Sequence, residues 1–197
     1  MIFKVEEELA DAWFKQNPPC RGSNSEMITT RINNRTKMIR FYRHSGVYTL
    51  VAEQSFSATR QHLWNFLSKP GNLSDITPAS MGFKVTSPLE PRKMYAGQVI
   101  TYKVTPFKGF QSNWVTEITH VQEGWYFVDE QRFGPYRFWH HKHFLEETDK
   151  GVKMTDEVTY KMPVGFIGRL VNYLLVKPRL RKIFEYRQEI LRKQFGN

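Results

Sequence analysis

One short stretch of this sequence combines many charged and imidazole side chains with many aromatic residues. The stretch runs from residue 127 to 146 and reads FVDEQRFGPYRFWHHKHFLE. Two β-rich runs flank Gly134-Pro135, which predicts a hairpin because Gly accepts a positive φ and Pro fits the next turn position. Buried charges are costly unless they are paired. The stretch is therefore typical of a cavity wall that binds something, rather than of a plain core.

Strand alternation predicts which side chains face that cavity, because successive residues of a strand point to opposite faces. In the strand predicted for 152–161, Asp156 is the one carboxylate on the otherwise apolar inner face. In the strand predicted for 136–147 we place the face with Trp139 inward, since the opposite face carries Lys142 and Glu146.

The register of the hairpin determines which residues of its first strand also face the cavity. A two-residue turn pairs Glu130 with Trp139, and paired residues share a face. One extra residue in the turn would instead bring Asp129 and Gln131 to the inner face. With the two-residue turn, the predicted ligand-binding residues are Tyr126, Glu130, Arg132, Trp139, His141, His143, Met154, Asp156 and Tyr160.

These side chains also support two kinds of chemistry. An acid–base enzyme could use Glu130 or Asp156 as the base and His141 or His143 as its partner, because buried carboxylates near histidines have displaced pKa values. A structural ion-pair network with Arg132 is the alternative interpretation of the same residues. The His141-Lys142-His143 pair puts two imidazoles on one side of a strand, as a metal site requires. We favour a paired polar network over the metal site, and we predict no metal and no cofactor.

Bulk composition narrows the class of protein. No apolar run in the 197 residues approaches the ~20 needed to span a bilayer. The N-terminal residues are acidic, unlike a secretory signal, and Cys20 is the only cysteine, which excludes a disulfide framework. We expect a soluble, cytoplasmic protein.

Positive charge concentrates at the C-terminus. Residues 166–197 hold eight Lys or Arg against two Glu. The simplest interpretation is the solvated face of an amphipathic helix, but transient contact with a membrane surface is an alternative, with Phe166 and Ile167 inserting. No nucleic-acid-binding motif is present, so we expect no nucleic-acid partner.

The elements that must position the cavity residues follow residue 47. A strand at 47–56 is followed by a helical pair, six strands and a long helix over about 165–195. The six strands are predicted near 82–87, 95–104, 112–121, 124–133, 136–147 and 152–161. Pro178 lies inside the long helix and predicts a kink or break near Lys177. Residues 1–46 are predicted to be a poorly defined extension, and 47–197 one domain. An antiparallel sheet of about seven strands would curve around the long helix and leave a cavity between them.

This order resembles the helix-grip fold, of class α+β, found in the SRPBCC (START/Bet v 1-like, polyketide cyclase-like) superfamily, and more narrowly its bacterial ligand-binding group. The resemblance covers about 47–195 and is carried by Ile76-Thr77-Pro78, Met81-Gly82-Phe83, residues 114–120 and 127–143, Met154-Thr155-Asp156 and residues 183–187. It implies a pocket for a hydrophobic or amphipathic small molecule, and it implies no particular reaction, since one fold hosts many functions.

We therefore expect a lipid-like or aromatic ligand to bind between the sheet and the last helix. The alternative is an enzyme of the cyclase, dehydratase or hydrolase type that uses the same carboxylates and histidines. A scaffold with a filled core would have no cavity. In the binding hypothesis, Asp156→Asn or His141→Ala changes ligand selectivity more than folding.

Overall fold

A single antiparallel sheet is the main element of the fold. The computed structural model describes residues 38–88, 93–107 and 109–196. In this part of the chain the sheet has eight strands, in the order β1-β2-β8-β7-β6-β5-β4-β3. The strands are β1 Met38–His44, β2 Val47–Phe56, β3 Lys84–Val85, β4 Gln98–Phe107, β5 Phe110–Gln122, β6 Tyr126–Phe133, β7 Phe138–Thr148 and β8 Gly151–Lys161.

The sheet begins earlier than the sequence pattern predicted. Strand β1 pairs with β2 along its whole length, from Met38 opposite Glu53 to His44 opposite Val47. The boundary predicted at 46/47 therefore falls inside a hairpin, and the remainder of the predicted extension, residues 1–37, lies outside the described residues. Arginines interrupt the apolar residues of β1, but Arg40 forms an ion pair with Glu53 on the neighbouring strand, which compensates its charge.

Helix α1, Arg60–Leu67, connects β2 to the far side of the sheet. Thr59 caps it by accepting a hydrogen bond from the backbone N–H of His62, which satisfies one of the free donors at a helix start. Its buried face carries Leu63, Trp64 and Leu67. Two short 3₁₀ turns, Pro70–Leu73 and Ala79–Met81, complete the predicted helical pair.

The C-terminal helical segment is interrupted where the sequence predicted a kink or break. Helix α2, Gly165–Val171, runs into a π-helical turn, Asn172–Val176, and then into helix α3, Lys177–Phe195. In the turn the backbone N–H of Lys177 donates to the carbonyl of Asn172, five residues back. Pro178 has no N–H to donate to the preceding turn, which explains why the regular hydrogen-bond pattern changes here.

Helix α3 lies against the inner face of the sheet. It buries Leu180, Phe184, Leu191 and Phe195 along one side, the period expected of an amphipathic helix. The Gln188 side chain donates to the carbonyl of Glu53 on β2 at 3.2 Å. The molecule is therefore an α+β helix-grip fold, as predicted. Among its described helices, none combines the length and apolar character needed to cross a bilayer.

Candidate functional site

A cavity of about 180 Å³ lies between the inner face of the sheet and helix α3. Strands β4 and β5 supply Ile100, Tyr102, Trp114 and Ile118 to its wall, and helix α3 supplies Leu180. Most of the lining is apolar or aromatic. The polar exceptions fall into two groups. One lies on β5, β6, β7 and α3 and contains Thr116, Asp129, His141, His143 and Arg187. The other lies in the segment after α1 and contains Lys69, Asn72 and Thr77. The cavity thus has an extensive apolar wall and a polar end formed by the first group, which is the usual division in a small-molecule pocket.

The β6–β7 hairpin has the alternative register that one extra turn residue produces. Asp129 pairs with His141 and Glu130 with His140, so Asp129 and not Glu130 points to the inner face. The predicted pairing of Glu130 with Trp139 is wrong by one position. Because side chains alternate along a strand, this shift exchanges the inner and outer residues of all of β6.

The cause of the shift is the geometry of the turn. The ladder between the two strands ends at the pair Glu130 and His140. Beyond it, the side-chain amide of Gln131 donates to the carbonyl of Tyr136 at 2.7 Å and accepts from its N–H at 3.3 Å. The Gln131 side chain thus replaces strand pairing and holds open a loop wider than two residues. The loop directs Tyr136 into the cavity wall.

Three residues predicted to face the cavity lie on the other side of the sheet. Arg132 contacts Glu117 at 2.6 Å and Glu130 at 3.0 Å, and Glu130 contacts His140 at 2.9 Å. Tyr126 is opposite Phe144 on the same outer face. The predicted inward orientation of Tyr126, Glu130 and Arg132 is therefore wrong, and Glu130 is not a candidate base for a reaction in the cavity.

The residues on β7 and β8 are placed as the alternation predicted. Trp139, His141 and His143 line the cavity. Asp156 is directly opposite His143 on the inner face. Met154 and Tyr160 also point inward but are buried in the core beside the cavity and do not line it. Ligand binding by these residues stays a prediction.

Five buried or half-buried polar groups form a connected cluster at the polar end, which we call the Asp–His cluster: Asp129, His141, His143, Asp156 and Arg187. The Nε2 atom of His141 lies 3.2 Å from Asp156 Oδ1, and its Nδ1 lies 3.4 Å from Asp129 Oδ2. The corresponding atoms of His143 lie 2.9 Å from Asp129 Oδ2 through Nε2, and 2.8 Å from Asp156 Oδ1 through Nδ1. Both imidazoles are therefore held between the same two carboxylates.

Arg187 connects this cluster to helix α3. Its Nη2 atom lies 3.4 Å from Nδ1 of His143 and 3.6 Å from Oδ1 of Asp156. Although burial opposes it, the charge of Arg187 and the hydrogen bonds from the histidines hold the pKa of Asp156 well below its usual range. Asp156 is therefore a carboxylate at neutral pH, and its negative charge is balanced by the guanidinium.

His141 and Asp129 also have displaced pKa values. Burial and the neighbouring His143 lower the pKa of His141 to about 4, so its imidazole is neutral at physiological pH. Burial alone would raise the pKa of Asp129, but His141, His143 and Arg187 lower it overall. A neutral imidazole between two carboxylates can accept or donate a proton, and the Asp129, His141 and His143 side chains each offer an atom that could hold a metal ion.

Sequence reasoning missed several groups on the cavity wall. Arg187 was counted with the solvated basic residues of the last helix, yet it is 6 % exposed. Its position three residues after Phe184 on the buried face of that helix is the signal that could have identified it. Tyr102 and Thr116, whose hydroxyl groups hydrogen bond to each other, and Trp114, which donates to Thr116 at 3.0 Å, carry no such signal.

Similar architectures occur among solved structures. A protein from Mycobacterium smegmatis is 19% identical and aligns over 74% of this chain and 92% of its own, with a TM-score of 0.53. A protein from Rhodobacter sphaeroides is 16% identical over 80% of this chain and 99% of its own, with a TM-score of 0.54. A protein from Arthrobacter aurescens is 13% identical over 78% of this chain and 91% of its own, with a TM-score of 0.57.

At these identities the similarity establishes the fold alone. No protein-family model matches the sequence, and no curated protein is significantly similar to it. The chain shares the helix-grip fold of these solved structures.

Proposed function

We propose that this protein binds a hydrophobic or amphipathic small molecule, lipid-like or aromatic, in the cavity between the sheet and helix α3. The observation that carries the proposal is the largely apolar cavity of about 180 Å³ with a polar end on the sheet and helix α3. Burial of apolar ligand surface there would contribute ~25 cal/mol per Å². The Asp–His cluster, with His141 and Asp129 on the wall, would orient the polar group of the ligand.

A second candidate function is catalysis of the cyclase, dehydratase or hydrolase type. The observation that favours it is a neutral imidazole, His141, held beside Asp129 on the cavity wall. In this alternative His141 would be the general base and the carboxylates would stabilise the imidazolium formed. Glu130 takes no part, because it faces away from the cavity.

We further propose that the ligand is exchanged at an anionic lipid surface. Six apolar side chains of α2 and the π-helical turn are exposed, with Phe166 at 73% and Tyr173 at 70%. We call this set the apolar stripe: Phe166, Ile167, Leu170, Tyr173, Leu174 and Leu175. Between residues 158 and 184 the chain has six Lys or Arg and no Asp or Glu. An exposed apolar face bordered by cations is complementary to an anionic membrane.

The binding proposal is tested by filling the cavity. Val85 lines the cavity from the short strand β3 and is only half-buried, so Val85→Trp adds volume without disturbing the centre of the core. The neutral fluorophore N-phenyl-1-naphthylamine serves as the probe. We expect saturable 1:1 binding to the wild type and about tenfold weaker binding to Val85→Trp, which corresponds to ~1.4 kcal/mol.

The matched control is Val99→Trp. Val99 is on the neighbouring strand β4 but is 54% exposed, and it does not line the cavity. Equal affinity of the fluorophore for both variants would place the bound probe outside the cavity and contradict the proposal. Turnover of a candidate substrate by the wild type that disappears in His141→Gln would support the catalytic alternative instead.

A further inference from the structure

The Asp–His cluster contains more acceptors than two neutral imidazoles can satisfy. Four contacts of 2.8 to 3.4 Å join the two imidazoles to the two carboxylates. An imidazole in its neutral form has one N–H, so two neutral rings supply two protons for four contacts. Two of these contacts would then join a nitrogen lone pair to a carboxylate oxygen, which is repulsive unless a cation lies between them.

In one arrangement of the protons, both contacts without a hydrogen fall on the same oxygen atom of Asp129. If His141 donates through Nε2 and His143 through Nδ1, both protons go to Oδ1 of Asp156. The lone pairs of His141 Nδ1 and His143 Nε2 then converge on Oδ2 of Asp129, at 3.4 and 2.9 Å. The opposite tautomer of His143 would donate to Asp129 and accept from Arg187. It would also leave the Nδ1 lone pair 2.8 Å from Asp156, an unfavourable contact between two acceptors.

The two distances from Asp129 Oδ2 to the imidazole nitrogens, 3.4 and 2.9 Å, match the spacing of neighbouring ligand atoms around a divalent ion. Ligand bonds of about 2.1 Å place neighbouring donor atoms about 3.0 Å apart in an octahedral site and about 3.4 Å apart in a tetrahedral site. The donor atoms of Asp129, His141 and His143 all lie within 4.8 Å of one another. Two imidazoles and one carboxylate form a donor set typical of zinc and other borderline transition metals.

Asp156 and Arg187 provide the support that such a site requires. Imidazole ligands of a metal usually donate their other N–H to a carboxylate, which fixes the tautomer and orients the ring. Asp156 is placed to accept from both rings at once, and Arg187 balances its charge. A second proton on one imidazole would satisfy one further contact, whereas a metal ion would join all three donor atoms.

We propose that Asp129, His141 and His143 form a binding site for a divalent transition-metal ion, with Asp156 as the carboxylate that orients both imidazoles. Since the three ligands line the cavity, the remaining coordination positions of the ion face the space in which a small molecule would bind. This proposal goes beyond the proposed carrier function and does not depend on it.

The test uses cobalt, whose visible absorption reports its coordination. Untagged wild-type protein is freed of metal with a chelator and titrated with Co²⁺ alone. We expect a saturable 1:1 complex with visible bands that Zn²⁺ abolishes by displacement. A featureless titration without a 1:1 end point would overturn the proposal. This measurement needs no variant, so a failure to fold cannot obscure the result.

Two substitutions test whether the ion binds at the proposed site. Asp129→Asn and His141→Gln keep side-chain size and remove one ligand each, and we expect Co²⁺ affinity at least about tenfold lower in both. The control is His140→Gln, which changes the adjacent imidazole on the outer face of the same strand. Co²⁺ affinity that is unchanged in Asp129→Asn and His141→Gln, or lost only in His140→Gln, would place the ion elsewhere and overturn the assignment. Binding of N-phenyl-1-naphthylamine, measured separately, tests the carrier function and not this site.

Discussion

Asp156 is the residue on which the Asp–His cluster depends most. Its carboxylate contacts both histidines and Arg187, and its side chain is 7% exposed. A buried ion pair adds little net stability, but removal of one partner leaves the other charged and without compensation. The carboxylate is thus a structural requirement as well as part of a candidate site.

We predict that Asp156→Asn lowers the free energy of unfolding by about 3 kcal/mol, because Arg187 then remains as an uncompensated buried charge. This is the opposite of the sequence-based expectation that the substitution would affect selectivity more than folding. Urea unfolding followed by circular dichroism measures the change.

Glu130→Gln is the matched control for this prediction. It removes a carboxylate that also contacts a histidine and an arginine, but on the partly exposed outer face. Its cost should stay below about 1 kcal/mol, as for exposed ion pairs. The double variant Asp156→Asn/Arg187→Met should recover stability relative to Asp156→Asn. An equal loss in the free energy of unfolding for Asp156→Asn and Glu130→Gln would show that burial of the ion pair does not determine the loss.

At the scale of the elements, the sequence predicted the type and order of the helices and strands better than it predicted the register between neighbouring strands. Alternation identified the inner face of β8, because Asp156 is flanked there by Met154 and Val158, and this face is buried. The register of β6 against β7 depends instead on the hydrogen bonds between the Gln131 side chain and Tyr136. Those hydrogen bonds form only in the folded turn, and the spacing of residues in the sequence does not predict them. These hydrogen bonds explain why Asp129, and not the predicted Glu130, faces the cavity.

The connection between β8 and helix α2 contains local strain. Val164 has φ +62° and ψ +44°, in the left-handed region. A β-branched side chain is disfavoured there by about 1–2 kcal/mol. Its side chain is 67% exposed, so it contributes little burial to offset that strain.

Val164→Asn is therefore expected to raise the free energy of unfolding by about 1 kcal/mol, since Asn adopts the left-handed conformation more readily. Thermal and urea unfolding give the value. Val99→Asn is the control, because Val99 is an exposed valine in strand β4. The same substitution there should not stabilise the protein. A loss of stability in Val164→Asn would mean that the exposed valine makes a contribution larger than its strain.

At the scale of the whole molecule, the apolar stripe and the basic residues around it define a polarised surface. The exposed apolar side chains of α2 and the π-helical turn are followed in the chain by Lys177, Arg181 and Lys182. Each basic residue near an anionic membrane surface contributes about 1 kcal/mol. The surface is therefore suited to reversible contact that depends on lipid charge.

Cosedimentation with vesicles tests this contact. We expect the wild type to bind vesicles of phosphatidylcholine with phosphatidylglycerol, and to bind pure phosphatidylcholine about tenfold or more weakly, because the basic residues add electrostatic attraction. The double variant Leu170→Ser/Leu174→Ser should lose most of the binding to anionic vesicles, since its apolar contacts are removed.

The matched control replaces apolar residues that are equally exposed on another part of the surface, Val99→Ser/Phe133→Ser. It should bind as the wild type does. Equal binding to neutral and anionic vesicles, or equal loss in both double variants, would exclude the apolar stripe as the contact surface.

The global arrangement was the part of this molecule most accessible from sequence. The order of elements, the antiparallel sheet and the irregular helix near Pro178 follow from periodicity and from the missing proline N–H. The strand β1 was missed because Arg40 and Arg43 mask its alternation. Its ion pair with Glu53 depends on a partner strand that local pattern cannot reveal.

Two indole rings on the cavity wall give the protein an internal optical reporter. Trp114 and Trp139 meet edge to face, with ring centroids 5.3 Å apart and planes at 89°. Chromophores this close exchange excitation, and their joint near-ultraviolet dichroism depends on their mutual angle. A guest that enters the cavity and tilts either ring changes that signal. Colourless, unlabelled molecules can therefore be screened against this protein in solution by its own spectrum.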